Sequence, residues 1–152
     1  MNCDCLFFRT AFSNAIKEFA FLEERERFSV LTVAVNYECS IKWTLGSLQL
    51  RLYFEMPDIP KLETFVVVNG HPKTELPVEP NFPESLQNSI DQYYAEIDKM
   101  KPTQIERAFR QDKFADLQLS IVRHLAKVAD ERLHEFQRDA ELEAQRYQSR
   151  GE

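Results

Sequence analysis

At 152 residues, 43% hydrophobic and 29% charged, the chain has the balance of one soluble globular domain long enough to bury a core. Its 25 acidic and 19 basic side chains leave a net charge of −6, spread along both halves without a basic patch, which disfavours direct nucleic-acid binding. Widely spaced glycines (Gly46, Gly70, Gly151) exclude a glycine-rich phosphate loop, and no apolar run approaches the ~20 residues of a membrane helix.

The N-terminus, Met1-Asn2-Cys3-Asp4-Cys5-Leu6-Phe7-Phe8-Arg9, places Asp4 ahead of a short apolar run and so lacks the pattern of a secretory signal. Cytoplasmic residence is the expectation. Three cysteines, an odd number, fit a reducing compartment better than a disulfide framework.

From residue 6 to 28, Phe8, Phe12, Ala15, Phe19 and Leu22 step by four and three along one helical face. Phe21 falls off that stripe. The period then changes to two. Odd positions of 29–42 hold Leu31, Val33, Val35, Tyr37, Cys39 and Ile41, and the pattern predicts one half-buried strand. Residues 43–47 supply a glycine-containing turn, and Leu48, Leu50, Leu52, Phe54 and Met56 alternate in a second strand. After Pro57 and Pro60, residues 64–68 read as a third strand. Asn69-Gly70 is a type I′ turn signal. A short fourth strand over 73–76 is confined to a sheet edge by Pro72 and Pro77.

Residues 77–83 carry three prolines and read as an extended linker. Asn81 and Glu84 have capping-box spacing before a helix bearing Leu86, Ile90, Tyr93, Ile97 and Met100, which Pro102 ends. Thr103 and Glu106 offer a second capping box. Beyond it, Phe114, Leu117, Ile121, Leu125, Ala129, Leu133, Phe136, Ala140, Ala144 and Tyr147 keep a period near 3.6. Unbroken from 112 to 147, this helix would be about 54 Å long. A globule of this size is roughly 30 Å across, so the helix must project, break or pack on a partner. Its apolar face weakens after Phe136.

These patterns describe an α+β fold: an N-terminal helix, an antiparallel meander of three or four strands, then two or three helices including a long C-terminal one. Residues 1–136 form a single domain (helix 6–28, sheet 29–76, linker 77–83, helices 84–136), and 137–152 form a polar helical extension or tail. The order helix, meander, helix resembles in outline RWD-type interaction domains and the ubiquitin-conjugating fold. No Tyr-Pro pair precedes strand three, however, and no cysteine follows His71-Pro72.

No catalytic constellation, cofactor or metal site is expected. Cys3 and Cys5 lack companion ligands at zinc spacing, and Cys39 on an apolar strand face reads as a small hydrophobe. A redox or lipidation role for Cys3 and Cys5 stays open. Glu131 and His134 have the spacing of a di-iron pair but stand alone on a charged stretch. His71 reads as a turn histidine, without a nucleophile signature nearby.

The leading expectation is a non-enzymatic protein-binding module, a regulator, adaptor or inhibitor working through the long helix and exposed aromatics. Its partner is another protein or a second copy, giving a homodimer. Candidate contact residues are Phe21, Tyr94, Phe136 and Tyr147 as aromatic anchors, with Glu131, Glu135, Asp139 and Glu143 as an acidic stripe. Phe7 is a further candidate for an exposed aromatic. One alternative is an acidic mimic of nucleic acid that inhibits a basic partner. Another is a small-ligand binding protein or enzyme with a pocket between sheet and helices.

Overall fold

The computed structural model describes residues 7–35 and 38–150, and its architecture is α+β: an N-terminal helical segment, one five-stranded antiparallel sheet, then three helices. The helix expected over 6–28 is broken within the described part. Helix α1 (Arg9–Glu18) is followed by the single turn α2 (Phe21–Glu24). At the junction Ala20 N–H donates to Lys17 O and Leu22 N–H to Phe19 O, the tight i→i−3 pattern that changes the helical phase. Phe19 then stacks on Trp43 with ring centres 4.9 Å apart, while Leu22 is also buried.

The sheet runs β1 (Ser29–Val35), β2 (Glu38–Leu45), β3 (Leu48–Glu55), β4 (Lys61–Val68) and β5 (His71–Leu76), each strand paired with the next. The single strand expected over 29–42 is therefore two. They reverse between Val35 and Glu38, which pair, and Tyr37 lies outside the described residues. Each pair in this register joins an odd residue to an even one, such as Leu31 with Lys42 and Val33 with Ser40. The odd positions before and after the reversal consequently occupy opposite faces. Cys39, Ile41 and Trp43 are buried, whereas Leu31 and Val33 lie on the open face.

Strand β3 alternates as expected, with Leu48, Leu50, Leu52 and Phe54 buried. Trp43, Thr44 and Leu45 belong to β2, so the β2–β3 turn is only Gly46-Ser47, with Gly46 at φ +59. Asn69 (φ +53) and Gly70 (φ +78) form the expected turn into β5. Here Gly70 tolerates a backbone that L side chains rarely adopt. The β4–β5 register skips between Val66 and Val67, and Lys73 falls at the skip.

Helices cover one face of the sheet. Phe8 and Phe12, at the start of α1, meet Phe54 at ring distances of 5.5 and 6.1 Å. Helix α3 (Glu84–Ile97) buries Ile90, Tyr93 and Ile97, the stripe seen in the sequence. Its N-cap is Pro83, without a side-chain cap bond, so the Asn81–Glu84 box does not form. Pro102 does not end that helix; it opens α4 (Pro102–Arg110), where a rigid φ suits the first helical turn. Gln104 Oε1 accepts from Lys101 N–H at 2.8 Å, which is one half of a capping box and stands in place of the box expected at Thr103 and Glu106.

Helix α5 (Ala115–Ser149) runs 35 residues unbroken. Its apolar stripe is buried from Ile121 through Leu133 and Phe136 to Ala140 and Ala144. The distal half packs rather than projects. Ala144 joins Val66 and Val68 in a small cluster beside Tyr147, and the Tyr147 hydroxyl hydrogen-bonds Thr74 Oγ1 on β5. The small alanines that weaken the stripe in sequence let the helix approach the sheet closely.

Candidate functional site

The aromatic anchors expected from sequence are mostly spent inside the molecule. Phe136 is 2% exposed, and Phe7 is buried as well. Phe21 is half-buried, lying 6.4 Å from Phe19 with the Arg25 guanidinium 5.1 Å above its ring. Tyr94 is half-buried too, and its hydroxyl accepts from Ile59 N–H at 3.2 Å. Tyr147 is held by Thr74. The stripe that would carry a helix pair is occupied by the protein's own sheet.

The acidic stripe lies along the outer side of α5, but each carboxylate has a cation within reach. Glu131 is 3.9 Å from Lys127, Glu135 is 2.7 Å from Arg132, Asp139 is 3.8 Å from Arg138 and Glu143 is 2.8 Å from Arg146. The hydrogen bond from Arg132 holds the Glu135 carboxyl below its ordinary pKa. Interleaved cations of this kind damp the field that a nucleic-acid mimic needs.

What the sequence reading missed is β1. Among the described residues, five large hydrophobic side chains are exposed, and four of them, Val30, Leu31, Val33 and Leu45, lie on β1 or the adjoining end of β2. Leu31 is the most open at 60%. β1 is an edge strand, so one side of its backbone has no ladder partner among the described residues. Ser-Val-Leu-Thr-Val-Ala-Val carries no charge and no proline. A signal for this was present: Val30 and Ala34 put apolar side chains on the even positions as well, so this stretch has no polar face to turn to water.

Beside β1 the open face of the sheet is polar and internally paired. Arg51 on β3 donates through Nε to Glu63 Oε1 at 2.7 Å. Its guanidinium lies 4.9 Å from the Tyr53 ring centre and 5.2 Å from that of Phe65. Glu63 is 6% exposed, and Arg51 offsets the cost of burying its charge.

A second feature is a cleft of about 500 Å³ where β4 runs past the end of β5. Tyr53, Glu55, Asp58, Lys61, Phe82 and Tyr94 are among its lining residues. Tyr53 donates to Glu55 at 2.5 Å, and this hydrogen bond raises its pKa well above the usual tyrosine range. Burial raises that of Tyr94. Among the described residues no serine, cysteine or histidine lines the cleft; apolar side chains there alternate with the carboxyl groups of Glu55, Asp58 and Glu63 and the Lys61 amine.

The remaining candidates have structural partners or stand apart. His124 Nε2 hydrogen-bonds Pro80 O at 2.5 Å and packs on Phe82, pinning the linker to α5. His71 is exposed at the start of β5. Cys39 is not a free hydrophobe: it is buried and disulfide-bonded, while Cys3 and Cys5 lie outside the described residues. Among the described residues no three His, Cys, Asp or Glu side chains gather in a way that could hold a metal ion. None of their helices is long and apolar enough to cross a membrane. Compared with known proteins, the chain matches no family model, no curated protein and no solved structure at a significant level.

Proposed function

We propose that the protein is a non-enzymatic protein-binding module whose contact surface is the β1 edge rather than α5. The observation that carries this reading is the exposure of Val30, Leu31 and Val33 along the edge strand β1. An uncharged edge strand offers main-chain hydrogen bonds for affinity and alternating side chains for specificity, the requirements of strand addition. The paired carboxylates of α5 favour this reading over acidic mimicry. The Cys39 disulfide weighs against the cytoplasmic residence expected from sequence, since cytosolic thiols are kept reduced. Thiol alkylation in intact cells decides that point.

The test of the module is quantitative capture from host extract with the wild type, Leu31→Lys and Leu142→Lys. Leu142 is also exposed, at 51%, but sits on α5. A stoichiometric partner lost with Leu31→Lys and kept with Leu142→Lys is the expected result. Loss with Leu142→Lys alone returns the surface to α5, and absence of any partner, a second copy of the chain included, overturns the reading.

The cleft supports a second reading, a small-ligand binding protein, because its volume falls in the range that encloses small molecules. A thermal-shift screen with wild type and Phe82→Ala checks it. Stabilisation by a compound that the variant no longer responds to supports the cleft, and an equal response in both proteins rejects it.

A further inference from the structure

We infer that the partner of the β1 edge is a second copy of this chain, joined antiparallel about a two-fold axis at Thr32 to give a continuous ten-stranded sheet. This rests on the reading of β1 as the contact surface and adds its occupant and register.

Three observations carry it. The first is symmetry within β1. An isologous contact sets residue i against j and j against i, so a strand can pair with itself only if it is complementary to its own reversal. Thr32 is the midpoint of Ser29–Val35. Pairing about it overlaps all seven residues, placing Leu31 against the second copy's Val33, Val30 against its Ala34 and Ser29 against its Val35. The two threonines meet at the axis, a favourable cross-strand pair. Moving the axis to Leu31 or Val33 leaves strand residues facing the turn or the segment before β1.

The second observation is charge. No residue of β1 is ionisable, so the two-fold brings no like charges into opposition within the seam. On the open face Leu31 has Lys42 as its β2 partner and Val33 has Ser40. Across the axis each cross-strand row then reads Lys42, Leu31, Val33, Ser40, and the two lysines stand at opposite ends of adjacent rows. The exposed Leu31 and Val33 of both copies close into one apolar patch of four side chains.

The third is the contrast with the other edge. β5 carries His71, Pro72, Lys73 and Glu75 together with the register skip at Val66/Val67, all devices that block further pairing. Assembly thus stops at two copies, since only one edge of each sheet can pair. One seven-residue strand per copy is a small seam against the ~1,200 Å² of a standard interface, so association should fall in the micromolar range or weaker.

The test is sedimentation equilibrium of the full chain from roughly 10 to 500 μM, using wild type, Leu31→Lys, Val33→Glu and an equimolar mixture of the two variants. The wild type should show a monomer–dimer equilibrium. Each variant alone sets a charge against an apolar neighbour twice and should weaken the dimer roughly tenfold. In the mixture the lysine introduced in one chain faces the glutamate introduced in the other, while the native Leu–Val pair is kept on the second row. Association should therefore recover. Circular dichroism of each variant confirms that the fold survives.

A wild type that stays monomeric throughout, a dimer insensitive to both substitutions, or a mixture that fails to recover overturns the proposal. If the wild type is monomeric while Leu31→Lys still loses a heterologous partner in the capture assay, only the second-copy assignment fails and β1 remains the binding surface.

Discussion

The two edges of the sheet meet opposite ends. β5 is closed: it carries charged side chains and a proline, its register skips, and α5 reaches it through the Tyr147–Thr74 hydrogen bond, beside the cluster of Ala144 with Val66 and Val68 of β4. β1 is open: it is apolar on both faces, and Leu31 and Val33 stand exposed on the face opposite the helices. The length of α5 explains much of the difference. A helix of 35 residues could have been the projecting, partner-seeking element, but it is consumed in covering β4 and sealing the β5 side. The apolar surface left over lies at the other edge.

The sealed side should respond most strongly. Phe136→Ala should destabilise the fold by about 3 kcal/mol or more, as truncating a buried phenylalanine does. Urea unfolding measures it, and a shift near zero would make Phe136 a free anchor after all. Alkaline pH comes next. The pKa values of Tyr53, Tyr93 and Tyr94 are raised in the fold, for Tyr93 by burial above all and for Tyr53 by its bond to Glu55. Their contribution is therefore complete below the unfolded value of about 10 and is lost as pH rises through the folded values. Absorbance at 295 nm should show these tyrosines ionising late, together with loss of structure. Ionisation at ordinary pH in a still-folded protein would contradict it.

Tyr147→Phe removes the hydroxyl that meets Thr74 and should cost about 1 kcal/mol, a test of whether the end of α5 is fastened to β5. Leu31→Lys should change monomer stability by no more than about 0.5 kcal/mol, since the site is exposed, while it weakens association. Lys73→Leu on β5 should change neither, because Pro72 still denies that edge a donor. Self-association gained by Lys73→Leu would show that charge alone had separated the edges.

Much of this architecture was legible in residue spacing. The period near 3.6 of Ile121, Leu125, Leu133 and Phe136 gives α5, the alternation of Leu48 to Phe54 gives β3, and Asn69-Gly70 gives the last hairpin. Each depends on neighbours a few residues apart, so local chemistry suffices. The exposed apolar side chains of β1 were not legible in that way. Leu31 and Val33 share the odd positions of Cys39 and Ile41, and as one strand all four would face the core. The reversal between Val35 and Glu38 sends them to opposite faces, because a pairing whose partner numbers sum to an odd value exchanges parity.

The fate of α5 is the companion case. Spacing determined by itself that a long amphipathic helix exists and which residues form its apolar stripe. Whether that stripe meets another molecule or the chain's own sheet depends on where β4 and β5 lie, which no local pattern encodes. Burial is a property of the assembled layers. Only the tertiary structure decided that Phe136, Ala140 and Ala144 are covered while Leu31 and Val33 stay exposed.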